Sequence, residues 1–213
     1  MAIIEIKGLD LTIKKTEILK KVSVSFEQGK IHGLIGRNGS GKTMLMKCIC
    51  GFIRPTSGTI CVNGRQVGRD CDFPENIGII IETPGFIPYY SGFKNLELIA
   101  DLNKKADTAQ IKRAMSQVGL DPMLKRHVVK YSLGMRQRLG LAQAIMENPD
   151  ILILDEPMNG LDKEGVEDMR KYLLDFKAQG KTILIASHSS EDIEVLCDTV
   201  HEMDKGVMTA IKE

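Results

Sequence analysis

The residues with the clearest chemical potential are Gly36, Arg37, Asn38, Gly39, Ser40, Gly41, Lys42 and Thr43, in the run GRNGSGKT. Glycines at its first, fourth and sixth places allow a turn that brings backbone N–H groups close to an anion. The lysine and hydroxyl residue that follow complete the phosphate-binding-loop pattern. Lys42 can reach β- and γ-phosphates, and the Thr43 hydroxyl can ligate Mg²⁺. Before the run, Ile31 to Ile35 is apolar apart from His32 and Gly33; after it, Leu45, Met46 and Ile49 recur at helical spacing. A strand, a loop and a helix N-terminus thus follow in the order that binds phosphate. A plain Gly-rich turn would share the glycines but not every fixed position. The loop alone does not separate an ATPase from a GTPase or a kinase.

Two further runs carry chemistry. ILILDEP, Ile151 to Pro157, is a strand of four aliphatic residues that delivers two carboxylates to the edge of a sheet. Asp155 is a candidate Mg²⁺ ligand, and Glu156 a candidate general base for an attacking water. YSLGMRQR, Tyr131 to Arg138, places a serine and a glycine at a helix start. Ser132 can donate its hydroxyl, Gly134 its N–H, and the helix its dipole, which makes a second anion site.

The elements needed to position these runs are legible as alternating patterns. Ile3 to Ile6 reads as a short strand, and Leu9, Leu11 and Ile13 as a second. Ile18 to Phe26 forms a third, before a turn at Gln28-Gly29-Lys30. The loop helix ends near Gly51. Thr59 to Val62 and the segment after Asn63-Gly64 form a hairpin. Ile77 to Ile81 is a buried strand ending at Glu82, and Thr83-Pro84-Gly85 breaks the regular structure. Phe86 to Asn148 is helical, with Thr108 as a candidate N-cap and a last helix from Gly134 to Glu147. A helix over Glu164 to Gln179, a strand from Lys181 to Ser187 ending at His188, a short helix from Glu191 to Leu196 and a hairpin over Val200 to Ile211 close the chain. Buried strands alternating with helices predict a mostly parallel sheet covered on both faces.

Composition narrows the class. The 213 residues are 43% apolar and 27% charged, as expected of one globular domain with room for a subdomain. A net charge of +1 argues against a nucleic-acid partner. The five cysteines, Cys48, Cys50, Cys61, Cys71 and Cys197, are odd in number and scattered, which fits reduced thiols in a cytoplasmic protein. No apolar run approaches the roughly 20 residues that span a bilayer, and MAIIEIKG lacks the pattern of a signal peptide. Any membrane role is therefore expected through a partner. His32, His127 and His201 lie outside any motif and are expected to be structural or surface residues.

Together these runs resemble those of an ATP-binding cassette (ABC) ATPase, over essentially the whole chain. GRNGSGKT matches the Walker A motif, YSLGMRQR is similar to the signature usually written LSGGQ, and ILILDEP matches the Walker B motif with its catalytic glutamate. MNGLD, ending at Asp162, is similar to the D-loop, and Ser187-His188 matches the switch histidine. All five occur in the family's order. The resemblance implies a P-loop NTPase with a RecA-like α/β core, an antiparallel β subdomain and an inserted helical subdomain. Residues 1–85 and 149–213 would form the core with its β subdomain, and 86–148 the helical part. It implies ATP and Mg²⁺, with two copies meeting head to tail so that Ser132, Gly134 and Asp162 serve the opposite site. His188 would contact the γ-phosphate. A separate transmembrane permease would hold the chain at the inner face of the membrane. The alternative within the family is a soluble, non-transport ABC ATPase, which usually shows a long coiled coil or two cassettes in one chain.

Three departures from the family pattern carry information. Glu82 stands where a glutamine is usual and would ligate Mg²⁺ at the expense of added negative charge. The signature reads SLGM, with Leu133 and Met135 in place of a glycine and an amide. Both features resemble the branch that exports bacitracin-like peptides and lantibiotics, which implies export of a peptide, antibiotic or lipid-like compound. The stretch Lys14 to Glu17, where an adenine-stacking aromatic is expected, has none. Pro88, Tyr89, Tyr90 and Phe93 follow Glu82 and are candidates either for a permease contact or for the helical core.

Overall fold

A computed structural model of the chain describes residues 1–82 and 84–212. Thr83, within the expected break after Glu82, lies outside the described residues. Two sheets make the frame. The first is antiparallel, in the order β2 (Thr16–Glu27), β1 (Ala2–Ile13), β4 (Ser57–Val62), β5 (Arg65–Gln66). The second has six strands, in the order β10 (Val207–Lys212), β9 (Thr199–Asp204), β3 (Ile31–Ile35), β8 (Thr182–Ala186), β7 (Ile151–Asp155), β6 (Ile77–Ile80). Every pairing in it is parallel except that of β9 with β10.

The central strands read as unbroken aliphatic runs because both faces are covered. On β7, Ile151 and Ile153 point into the core shared with the antiparallel sheet, and Leu152 and Leu154 into the core shared with the helices. β8 divides the same way, with Leu184 and Ala186 on one side and Ile183 and Ile185 on the other. Helix α1 (Lys42–Ile49) lies in the first layer, its Leu45, Met46 and Ile49 fully buried. Helices α2 (Gly92–Asn103), α3 (Thr108–Gln117), α4 (Leu133–Ile145), α5 (Lys163–Ala178) and α6 (Ser190–Leu196) contribute to the second. Helix α4 is pressed onto β6 at Gly78, where a Cβ would stand 2.1 Å from the Ala144 carbonyl oxygen.

Two sequence expectations change. The two short strands expected over Ile3–Ile6 and Leu9–Ile13 are one strand, β1. Its register with β2 shifts between Ile6 and Leu9, and Gly8 takes a φ of 55°. A bulge absorbs the break in alternation without ending the ladder, and the Ser23 hydroxyl accepts the Gly8 N–H at 2.9 Å. The N-cap of α3 is Asp107, not Thr108. Asp107 accepts from the Gln110 N–H at 2.8 Å, and the Gln110 side chain accepts from the Asp107 N–H at 2.9 Å. That reciprocal box satisfies two otherwise unpaired donors, which a lone threonine one place later cannot do.

Candidate nucleotide site

Because β3, β8, β7 and β6 run parallel, their C-terminal ends form one edge, and each end carries a motif. The edge holds the loop Gly36–Thr43 after β3, Glu82 after β6, Asp155 and Glu156 at the end of β7, and Ser187-His188 after β8. This is the edge where such sheets bind ligands. A cleft of about 450 Å³ opens there, with Asn38 to Met44 on one wall and Ile18, Glu82, Asp155 and Glu156 around it.

The loop's glycines have distinct reasons. Gly36 has a φ of 139°, and a Cβ on it would lie 2.2 Å from the Met203 carbonyl oxygen. Gly41 has a φ of 114° and is boxed by Leu19 and Met203 at 3.0 Å each. Gly39, at 80°, faces open space on the cleft wall. The Gly206 N–H donates to the Ser40 carbonyl at 2.9 Å and ties the loop to the β9–β10 turn. Lys42 is buried, and its Nζ donates to the Gly36 carbonyl at 2.6 Å and that of Arg37 at 3.3 Å. The Ser40 hydroxyl is buried and has no partner among the described residues. A buried lysine and an orphaned hydroxyl on a loop shaped by three glycines fit a polyphosphate, which supplies the acceptors the loop lacks.

The Thr43 hydroxyl donates to Asp155 Oδ2 at 2.7 Å. Among the described residues no cluster of three or more His, Cys, Asp or Glu could hold a metal ion. The donor set is therefore one hydroxyl and one carboxylate, with further oxygens left to a nucleotide and to water. That set fits Mg²⁺, which is commonly held by few protein groups together with substrate phosphates. Glu82 lines the cleft with a φ of 61°, but its Oε1 accepts from Lys47 Nζ at 2.6 Å rather than joining Thr43 and Asp155.

Glu156 has a φ of 50°, and its N–H donates to the Ala186 carbonyl at 2.9 Å. That bond fixes it beside the end of β8. Its Oε2 meets His188 Nδ1 at 2.7 Å. His188 is followed by α6, which Ser189 caps by accepting the Asp192 N–H at 3.3 Å. Helix α6 is held to α5 by Arg170, whose Nε donates to the buried Asp192 at 2.8 Å and whose Nη1 donates to Glu191 at 2.9 Å.

Ser132, Gly134 and Asp162 do not line the cleft. They gather at a second place. Ser132 caps α4, its hydroxyl accepting the Met135 N–H at 3.1 Å. Asp162 caps α5, accepting the Gly165 N–H at 3.0 Å. Leu133 packs on Gly160 so closely that a Cβ there would lie 2.5 Å from its side chain, and Gly134 faces the Gly160 carbonyl. Arg37 is exposed outside the cleft lining. The sequence reading missed Lys47 and Ile18. Lys47 was findable, since it stands one helical turn beyond Thr43 on the same face. The position of Ile18 on the cleft wall depends on how β2 packs, which no local pattern shows.

The fold and the edge motifs define a P-loop nucleotide-binding cassette. Residues 19–159 match the ABC transporter family. The chain is 47% identical over 203 residues to the Bacillus subtilis protein YybJ, an uncharacterized ABC transporter ATP-binding protein, covering 95% of this chain and 93% of that one. It is 38% identical over 206 residues to the bacitracin transport ATP-binding protein BcrA of Enterococcus faecalis, covering 96% and 67%. It is 37% identical over 210 residues to the lantibiotic transport ATP-binding protein SrtF of Streptococcus pyogenes, covering 99% and 90%. A bacterial ABC transporter cassette solved as a dimer superposes with a TM-score of 0.88, at 20% identity and 99% coverage of both chains. The chain belongs to the ABC transporter family. No helix among the described residues is long and apolar enough to cross a membrane.

Proposed function

We propose that this ATPase powers a membrane exporter for a peptide antibiotic or lipid-like compound, with bacitracin- and lantibiotic-type cargo as the model. Two relatives at 37–38% identity carry those names, and the Glu82 and SLGM departures agree with them. The soluble, non-transport alternative has no counterpart among these relatives, whose names are those of transport proteins.

The observation that carries the mechanism is the Glu156–His188 pair at 2.7 Å, beside the Thr43–Asp155 pair. In this reading Gly36 to Thr43 wrap the phosphates and Lys42 leaves the loop carbonyls for phosphate oxygens. Thr43 and Asp155 would hold Mg²⁺, with Glu82 at the same wall. Bound there, Mg²⁺ would offset charge on the phosphate oxygens. Glu156 takes the proton of the attacking water. His188 orients that carboxylate through Nδ1 and belongs at the γ-phosphate. Ser132, Gly134 and Asp162 act across an interface with a second copy, which fits their absence from the cleft of their own chain.

A separate permease is the expected partner, docking the cassette at the inner face of the membrane. A groove of about 380 Å³ between β6 and α4 supports this. Ile81 and Pro84 line the groove while Glu82 lines the nucleotide cleft, so one short segment borders both. The aromatics after Glu82 divide between the two roles offered by the sequence. Phe86 and Phe93 pack on the helical core, whereas Ile87, Tyr89 and Tyr90 are exposed and available for an interface.

The test is Glu156→Gln in the purified chain. The expected result is a stable ATP-bound dimer with hydrolysis nearly abolished, read by size-exclusion chromatography and phosphate release. A variant that remains monomeric with ATP and hydrolyses at the parent rate refutes the assignment.

A further inference from the structure

Lys47 is one turn beyond Thr43 on α1, and the two side chains hold two different carboxylates. Thr43 donates to Asp155 at 2.7 Å, and Lys47 Nζ meets Glu82 Oε1 at 2.6 Å. The Lys47 side chain is only 20% exposed, against 62% for that of Glu82. The cleft that Glu82 lines already contains Asp155 and Glu156, and its occupant is a polyphosphate. A third carboxylate raises the negative potential where negative charge must bind. A neutral amide in the same place would need no counter-ion.

We propose that Lys47 is the positioning residue that makes a glutamate workable at position 82. Its ammonium offsets the added charge and holds the carboxylate on α1 instead of on the Thr43–Asp155 pair. The inference rests on the cleft being the nucleotide site. The effect belongs to binding rather than to folding. An ion pair with one partner largely in solvent adds little to stability, whereas an uncompensated charge in a cleft acts directly on a charged ligand. A lysine here and a glutamate at 82 therefore function as a pair, and the glutamate without the lysine is the unfavourable combination.

The experiment is a cycle of four variants, Lys47→Gln, Lys47→Arg, Glu82→Gln and Lys47→Gln with Glu82→Gln. ATP affinity is measured by equilibrium titration without Mg²⁺, beside steady-state hydrolysis. Lys47→Gln should weaken ATP binding roughly tenfold and raise KM in step. Lys47→Arg should stay within about twofold of the parent, because it keeps the positive charge and the pair with Glu82 is a single contact that a longer side chain can still make. With glutamine at 82, the Lys47→Gln exchange should change affinity less than about twofold. Parent-like affinity in Lys47→Gln overturns the proposal. So does an equal loss on both backgrounds, which would make Lys47 a general positive charge or a folding residue. Running Glu156→Gln alongside keeps the two readings apart. Hydrolysis that survives it sinks the catalytic assignment, while the binding cycle still reports on Lys47 and Glu82.

Discussion

Gly36 and Gly39 sit three residues apart in one loop, yet replacing each with alanine should give opposite results. At Gly36 the backbone has a φ of 139°, a region that L side chains rarely adopt, at a cost of about 1–3 kcal/mol. The new Cβ would stand 2.2 Å from the Met203 carbonyl oxygen, about 1 Å inside an ordinary carbon–oxygen contact. That oxygen belongs to β9, paired with β3 at Ile35 and Glu202, and Met203 is fully buried, so the neighbour cannot turn aside. Strain and displacement together come to roughly 3–5 kcal/mol. For a chain of this length 1 kcal/mol lowers Tm by about 2–4 °C, so Gly36→Ala should melt roughly 6–20 °C below the parent. At Gly39 the φ is 80° and the added methyl meets nothing within 4 Å. The cost there is the left-handed conformation alone, about 1–2 kcal/mol or roughly 2–8 °C. Gly39 lines the cleft assigned to phosphate, where close backbone approach is needed, so Gly39→Ala should keep its fold and lose most of its ATP affinity. Thermal unfolding followed by two probes, with an ATP titration, separates the cases. Equal losses of Tm in the two variants, or parent-like ATP binding in Gly39→Ala, would refute this account of the loop.

Two further outcomes follow from burial and from the cleft wall. Burial pushes the Cys48 thiol up to about 11 and those of Cys50 and Cys197 up to about 12, whereas Cys61 and Cys71 are partly exposed. At pH 8 an alkylating reagent should therefore label Cys61 and Cys71 and spare the other three, since the thiolate is the nucleophile; peptide mass analysis reads the result, and labelling of Cys50 in the folded chain would count against it. The cleft presents aliphatic Ile18 where the chain lacks an aromatic. Ile18 gives a purine an apolar contact without stacking, so GTP should compete with ATP better than it does in a cassette that has the aromatic. Equal discrimination in a side-by-side competition assay would remove that conclusion.

The motifs were legible where chemistry and local pattern coincide. GRNGSGKT needs only its own glycines, lysine and threonine to be read, and Asp155-Glu156 are marked by the four aliphatic residues before them. The layered sheet was legible because its central strands are uniformly apolar. What escaped depends on partners distant in sequence or on exact turn chemistry. The bulge at Gly8 interrupts alternation as a strand end would, and only pairing with β2 shows that β1 continues. Asp107 outcompetes Thr108 as a cap because Gln110 answers it three residues later. The Lys47–Glu82 pair spans 35 positions and the Glu156–His188 pair 32; the residues themselves have sequence signals, but the contacts do not, since each forms when separate elements meet at the sheet edge.

Motif order along the chain differs from order in space, and the difference bears on which motif residues line the cleft. The edge motifs run Gly36–Thr43, Glu82, Asp155–Glu156 and His188 in sequence. In the sheet, β8 comes last in the chain of the four strands that carry these motifs but lies between β3 and β7. His188 is thereby placed beside Glu156 and next to the strand that carries the phosphate loop. The helices α2 to α4 enter between β6 and β7, and α4 packs on β6 at Gly78. β6 is the far edge strand, three strand spacings or roughly 14 Å from β3. It is the C-terminal end of α4, at Ala144, that packs on β6, while its first turns lie against Gly160 and the Glu156 carbonyl, so Ser132 and Gly134 sit beside the segment after β7 and outside the cleft lining. Ser132 and Gly134 accordingly spend their local chemistry on their own helix cap and on Gly160. The proposed pairing of two copies would bring the cleft of one chain against the α4 N-terminus of the other, where Ser132 and Gly134 could meet a phosphate held by Lys42.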